Sequence, residues 1–354
     1  MPNRAVVMSG GGAKGAFQVG ALDYLIQDLG LDFQVIAGVS TGSLNAVVLS
    51  QASSFEELKA AHEKLKELWF GIRSERDIYN NRFLGKILVL LAKNSMYDPK
   101  PLFEKLRRSV SLERIASSRK SLRIGAVSLE TGDYREVDQS QSHLLEWTLG
   151  SSSMPLFFPP VPVEGEHLVD GGVRSITPLQ GAFSALKQLS PDGPSDPPDE
   201  MFVILASPLT IEPERREWKT GLHVGARAAG ILVNQIYRED LDYALMVNEA
   251  VSGYGRLRSA LIAALGPVSA DALLARVPYR FRPPDYREVR LWTVVPSVSF
   301  SESLQFEPQR IRAAFDAGRE AARNRLDEGR LRDLIVQTSP HRGPTPEELL
   351  AKTA

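Results

Sequence analysis

A serine framed by small residues, Gly38-Val39-Ser40-Thr41-Gly42, lies between a short apolar run and a helical pattern. This is the G-x-S-x-G arrangement in a strand–turn–helix setting, which lifts a nucleophilic hydroxyl onto a sharp turn. Small neighbours let strand and helix approach each other and leave room for a substrate carbonyl. The helix that starts behind Ser40 directs free amides and a positive dipole end at developing negative charge. Ser40 is therefore expected to be the nucleophile, with Gly38, Val39, Thr41 and Gly42 forming its elbow.

A second glycine-rich turn, Gly10-Gly11-Gly12-Ala13-Lys14-Gly15, also follows an apolar run and precedes a helical one. It satisfies G-x-G-x-x-G, the dinucleotide fingerprint, and Asp32 stands about where a ribose-binding acid would. It is not a phosphate-binding P-loop, because no Gly-Lys-Ser/Thr follows. Consecutive glycines also expose backbone amides, as in esterase oxyanion holes. The nucleotide reading leaves Ser40 without a purpose. With parallel neighbouring strands, both loops meet at one carboxyl edge of the sheet, so the oxyanion reading is the more economical.

A serine needs a base, ordinarily a histidine held by an aspartate. Of the five histidines, His62 falls on a charge-rich helix and His341 in a proline-containing tail, which leaves His223 for a Ser…Asp…His order. The other option is a carboxylate acting directly on the serine. Asp170-Gly171-Gly172 follows Leu168-Val169 and reads as a strand end entering a turn. A desolvated Asp170 has the raised basicity such a dyad requires, although Asp-Gly by itself also reads as a simple turn.

The elements that position these residues alternate. Strands are expected at Ala5–Met8 and Phe33–Ala37, with helices over Ala16–Leu29 and from Leu44. A helix spans Phe55–Phe70, strands follow at Leu122–Leu129 and Tyr134–Val137, and a short helix covers Leu144–Leu149. Leu179–Leu189 reads as helix, the four prolines of residues 190–198 as a surface loop, and Met201–Ala206 as a buried strand. A long helix over His223–Val251, a strand at Val289–Val295 and a helix over Ile311–Leu326 complete the pattern, which implies a parallel sheet covered by helices.

The 354 residues carry 42 Lys+Arg against 43 Asp+Glu, too balanced for an electrostatic grip on nucleic acid. No cysteine is present, which excludes thiol nucleophiles, disulfides and thiolate zinc sites. The apolar start is too short for a signal-peptide core, and Ile87–Ala92 is far too short to span a bilayer. A cytoplasmic protein is expected, with peripheral contact with a membrane left open. Leu84–Leu91 with Lys86 and Lys93, and Leu257, Leu261, Ile262 and Leu265 beside Arg256 and Arg258, have the look of interfacial helices, or of ordinary amphipathic ones.

Together, Gly10–Gly15, Gly38–Gly42 and Asp170–Gly172, in that order, resemble the patatin-like phospholipases, a family of serine acyl hydrolases. Residues 151–160, Ser-Ser-Ser-Met-Pro-Leu-Phe-Phe-Pro-Pro, and Pro178 add to the likeness, which covers about residues 5–210. The resemblance implies a three-layer α/β/α sandwich with a mostly parallel central sheet. It implies a Ser40–Asp170 dyad without histidine, an oxyanion held by the glycine loop, and hydrolysis of fatty-acyl esters of phospholipids, lysophospholipids or neutral lipids. No metal or organic cofactor is required by this chemistry. A single domain over residues 5–335 is expected, with insertions near 71–120 and 253–288, the latter irregular and Arg-rich, and a mobile tail over 336–354.

Overall fold

The computed structural model describes residues 2–81, 94–190, 198–211, 213–214, 220–278, 288–298 and 303–325. Its strands are β1 (Arg4–Met8), β2 (Val35–Val39), β3 (Asn80–Asn81), β4 (Tyr97–Asp98), β5 (Ser121–Ser128), β6 (Tyr134–Val137), β7 (Val161–Val163), β8 (Glu166–Asp170), β9 (Glu200–Ile204) and β10 (Arg290–Val294). Its helices are α1 (Gly15–Asp23), α2 (Thr41–Leu49), α3 (Phe55–Phe70), α4 (Lys100–Ser109), α5 (Leu112–Ser117), α6 (Leu144–Ser151), α7 (Leu179–Leu189), α8 (Gly221–Leu265), α9 (Pro267–Ala275) and α10 (Pro308–Arg325).

Eight strands make one sheet in the order β10-β9-β1-β2-β5-β8-β7, with β6 beside β5, while β3 and β4 form a separate ribbon. The run from β10 to β5 is parallel. The strands beyond it, β6, β7 and β8, pair antiparallel. Central strands covered on both sides read as continuous apolar runs, and β1 and β2 do so. Alternate residues feed two cores. Val6, Met8, Ile36, Ile124 and Phe202 pack under α1, α2, α3 and α10. Ala5, Val7, Val35, Ala37 and Val203 pack under α7 and α8. The result is the three-layer α/β/α arrangement with a mostly parallel sheet.

Three expectations change. The helix predicted to end at Leu29 is α-helical only to Asp23 and finishes as a π-helical turn over Tyr24–Asp28. His62 does not lie on a solvated face of α3. It is fully buried beside Leu58, Leu65 and Trp69, and its Nε2 lies 3.0 Å from the Val19 carbonyl oxygen. Residues 253–275 are not irregular: α8 continues to Leu265, turns at Gly266 (φ 76°) and returns as α9, with Arg258 paired to Asp271 at 2.8 Å. The arginines of this region lie mostly beyond Ala275, and the two within these helices, Arg256 and Arg258, are good helix formers.

The 71–120 region contributes the β3–β4 ribbon and the short helices α4 and α5. Leu84–Leu91 and the tail over 336–354 lie outside the described residues. At the far end of the chain, α10 crosses α1 at contact distance: a Cβ on Gly20 would stand 1.8 Å from the Phe315 carbonyl oxygen, and one on Gly318 1.9 Å from that of Phe17. Among the described residues no helix is long and apolar enough to cross a membrane.

Candidate active site

Ser40 leaves β2 at φ 56° and ψ −126°, and α2 starts at the next residue rather than at Leu44. A non-glycine residue held there costs on the order of 1–3 kcal/mol, so its surroundings must impose it. They do so through close approach. A Cβ on Gly38 would meet the Gly42 carbonyl oxygen at 2.2 Å, and one on Gly42 would meet that of Met8 at 2.2 Å. The Ser40 amide donates to Ser151 Oγ (3.0 Å), which in turn donates to the Gly125 carbonyl (2.6 Å). The Ser40 carbonyl accepts from the Ser43 amide and hydroxyl. With its backbone fixed on both sides, the serine is held beside Asp170.

Asp170 closes β8, whose antiparallel register sets it opposite Ala126 of β5. Its amide donates to the Ser153 carbonyl (3.0 Å), so the Ser151–Ser153 segment fastens both Ser40 and Asp170. Its carboxylate accepts from the Gly172 amide (2.8 Å) and has the Ser40 side chain beside it. Burial pushes its pKa up to about 6, the nearby Ser40 hydroxyl and the Gly172 amide holding it back from a larger rise. A carboxylate in that range is a competent proton acceptor near neutrality.

The glycine loop sits beside this pair, since β1 and β2 are parallel neighbours. A Cβ on Gly10 would stand 3.1 Å from that of Ser40. The cradle is narrower than Gly10–Gly15. The Gly10 amide is already given to the Ile176 carbonyl (3.0 Å), that of Ala13 to Ser303 (2.8 Å) and that of Lys14 to Gly11 (3.3 Å). The Gly15 amide is given to Gly12. Among the described residues, the Gly11 and Gly12 amides keep no such partner. Neither glycine tolerates a side chain: a Cβ on Gly11 would meet Ala206 Cβ at 2.4 Å, and Gly12, at φ 60°, would meet the Ser303 carbonyl oxygen at 2.0 Å.

Several supporting residues escaped the sequence reading. Tyr237 of α8 donates its hydroxyl to the Gly10 carbonyl. One turn further, Asp240 accepts from Ser175 Oγ (3.1 Å), the Ile176 amide (2.9 Å) and the Thr177 amide (2.8 Å). Burial raises the Asp240 pKa to about 6 against those three bonds. Helix α8 thus holds both the glycine loop and the loop that follows Asp170. Beneath the glycines, Gln18 donates to the Ser9 carbonyl (2.7 Å), Asn45 to Gln18 (2.9 Å) and Trp69 to Asn45 (2.9 Å), a buried chain tying α1, α2 and α3 to the loop. Single polar residues on otherwise apolar helix faces were the available signal.

The structure does not bring the remaining candidates to this point. His167 is exposed and paired with Glu130 at 2.7 Å, and His143 caps the start of α6. His223 belongs to α8, fourteen residues before Tyr237, or about 21 Å along the helix. Asp32 precedes β2 at the amino edge of the sheet and pairs with Lys120, so it is on the opposite edge from the glycine loop and cannot hold a ribose beside it. Asp23, His62 and Glu63 have metal-like spacing, but Asp23 is already paired with Lys66 and Arg319. Burial holds the His62 pKa down.

An apolar cavity of about 100 Å³ extends from Ser40 along α2 past Leu44 to Val48, walled by Leu65, Trp69 and Leu106. Eight helical residues give it a reach of about 12 Å. Among the described residues, Lys105, whose pKa burial lowers, is its one charged lining residue.

Comparison with known proteins follows the same lines. The sequence profile of a family described as patatin-like phospholipase matches residues 6–183, half of the chain. No curated protein matches it in sequence. Among solved structures, VipD from Legionella pneumophila is similar at 13% identity, over 98% of this chain and 70% of that one, with a TM-score of 0.39. The ExoU–SpcU complex from the type III secretion system of Pseudomonas aeruginosa is similar at 18% identity, over 99% and 75%, with a TM-score of 0.31.

Proposed function

Because the chain belongs to the patatin-like phospholipase family, we propose that it is a serine lipid acyl hydrolase working through a Ser40–Asp170 dyad. One observation supports this reading: the Ser40 side chain lies beside a buried carboxylate, Asp170, near enough to draw its pKa down, where an imidazole would otherwise stand. In the first step Asp170 takes the hydroxyl proton as Ser40 Oγ attacks the ester carbonyl. The negative charge moves to the carbonyl oxygen, against the Gly11 and Gly12 amides and the start of α2. As the tetrahedral adduct collapses, the proton passes from Asp170 to the departing alcohol and an acyl-serine remains. Water then attacks the acyl-serine, Asp170 again takes and returns one proton, and the fatty acid leaves.

The substrate is a fatty-acyl ester of a phospholipid, lysophospholipid or neutral lipid, and the apolar cavity along α2 supports this by offering the acyl chain a dry lining. Residues 5–335 act as one domain in this reading, in the cytoplasm, with the lipid surface as the place of work. Labelling by a fluorophosphonate probe and turnover of a p-nitrophenyl ester test it together. Ser40→Ala loses both, and Asp170→Asn loses turnover by at least a hundredfold. His223→Gln keeps the rate within tenfold; a collapse there would instead favour a Ser-His-Asp triad.

A further inference from the structure

A trans peptide unit is planar, with its N–H and C=O pointing in opposite directions, so fixing one aims the other. Two such units stand in series behind the glycine loop. The first joins Ile176 to Thr177. Its N–H, that of Thr177, donates to Asp240 Oδ2 at 2.8 Å, and its C=O, that of Ile176, accepts from the Gly10 amide at 3.0 Å. The second joins Gly10 to Gly11. Its C=O accepts from the hydroxyls of Tyr237 and Ser9, the latter at 3.1 Å. Its N–H is the Gly11 amide, one of the two that keep no partner among the described residues. Glycine has no side chain to narrow its backbone freedom, so these amides stay aimed only if outside groups hold them. Gly10 is held at both its polar groups from residues three positions apart on α8, directly by Tyr237 and through one peptide plane by Asp240.

Asp240 sets more than that plane. Its Oδ2 also takes the Ile176 amide at 2.9 Å, and its Oδ1 the Ser175 hydroxyl at 3.1 Å. The Ile176 side chain so placed is a buried spacer. Its Cγ1 stands 3.0 Å from the place of a Cβ on Gly10 and 3.2 Å from that of one on Gly172, whose amide bonds Asp170. One side chain therefore keeps the glycine loop apart from the turn after Asp170, and one carboxylate keeps that side chain there. Helix capping does not account for these bonds. An N-cap serves amides inside the first turn of a helix, whereas Ile176 and Thr177 precede Pro178, which itself stands at the N-cap of α7.

We infer that Asp240 is a positioning residue for the reaction: through the Ile176–Thr177 peptide it aims the Gly11 amide at the oxygen of the attacked carbonyl, and through Ile176 it spaces the glycine loop from the Asp170 turn. The inference rests on the lipid acyl hydrolase reading for what the Gly11 amide does. What the site uses is the place of the Asp240 oxygens and not their charge. An oxyanion exists only along the reaction path, so a misaimed amide lowers kcat and leaves KM nearly as it was.

The test is kcat and KM for p-nitrophenyl butyrate, per site titrated with a fluorophosphonate, in the parent and in Asp240→Ala, Asp240→Asn and Asp240→Glu. Hydrogen–deuterium exchange of segments 9–15 and 170–177 is followed alongside. In Asp240→Ala, kcat is expected to fall at least tenfold with KM little changed. Both segments are then expected to exchange faster together, while α3 exchanges as in the parent. Asparagine keeps one oxygen for the two amides and gives its Nδ2 donor to the Ser175 hydroxyl, so Asp240→Asn restores kcat to near the parent's. Glutamate keeps the charge but displaces the oxygens by a methylene, and Asp240→Glu is expected to lose kcat as alanine does; this pair decides the matter even if the alanine variant does not fold. Parental kcat in Asp240→Ala, an active glutamate beside an inactive asparagine variant, or faster exchange confined to 170–177 would overturn the inference. A parent that turns over no ester would defeat the hydrolase reading, and the joint exchange of the two segments would still decide whether Asp240 holds them.

Discussion

Asp170→Asn separates the chemical role of this carboxylate from its cost to the fold. In the native state burial moves the Asp170 pKa from its ordinary 3.8 to about 6, a difference worth about 3 kcal/mol. The sign follows from proton binding. Between pH 3.8 and about 6 the native state retains a proton that the unfolded chain has released, so stability falls as pH rises through this window and the loss is complete above it. An asparagine can still accept from the Gly172 amide, but it carries no charge to desolvate. The variant is therefore expected to be more stable than the parent by about 3 kcal/mol at pH 8, and equal to it below pH 4. Urea denaturation at the two pH values reads this directly. Over the same range, parent turnover of a soluble ester rises through pH 6 as the base loses its proton, while the variant stays at least a hundredfold lower. Equal stability at pH 8, or a variant destabilised at both pH values, would refute the claim that Asp170 is held charged against its surroundings.

Three further outcomes follow from the geometry. Ser40→Gly removes the nucleophile and also relieves a backbone held at φ 56°, so activity is abolished while stability rises by about 1 kcal/mol in the same denaturation assay. Tyr237→Phe removes one of the two hydroxyls, with that of Ser9, that donate to the Gly10 carbonyl; kcat for a soluble ester is expected to fall roughly tenfold with KM little changed, the pattern of a loosened glycine loop. Val48→Trp fills the cavity about 12 Å from Ser40, and a series of p-nitrophenyl esters should show the preferred acyl chain shorten while the butyrate ester is turned over as before.

Much of this site was legible in the chain because its requirements are local. Gly38 and Gly42 are needed within two residues of Ser40, where strand and helix nearly touch, and Asp170 is bonded by Gly172 two positions on. Such constraints leave short motifs. His62 was legible too, had its spacing from Leu58, Leu65 and Trp69 been weighed above the charges around it, since those four side chains share one buried face. The helices of 253–275 were obscured by Gly253, Gly255 and the Gly266-Pro267 pair, residues that ordinarily weaken or end a helix.

Other features depend on residues far apart in sequence, and no local pattern encodes them. Whether Asp170 is a base or merely a turn depends on β8 lying antiparallel to β5, which delivers its carboxylate to Ser40 across 130 positions of chain. Which amides of the glycine loop remain depends on Ile176 and Ser303, whose carbonyls take those of Gly10 and Ala13. The grip of Tyr237 and Asp240 depends on where α8 crosses the sheet. Composition and spacing could specify which groups a hydrolase of this kind needs. Only packing decides which of their hydrogen-bonding valences are left unspent, because each amide and carboxylate oxygen is committed by whatever neighbour the fold brings to it.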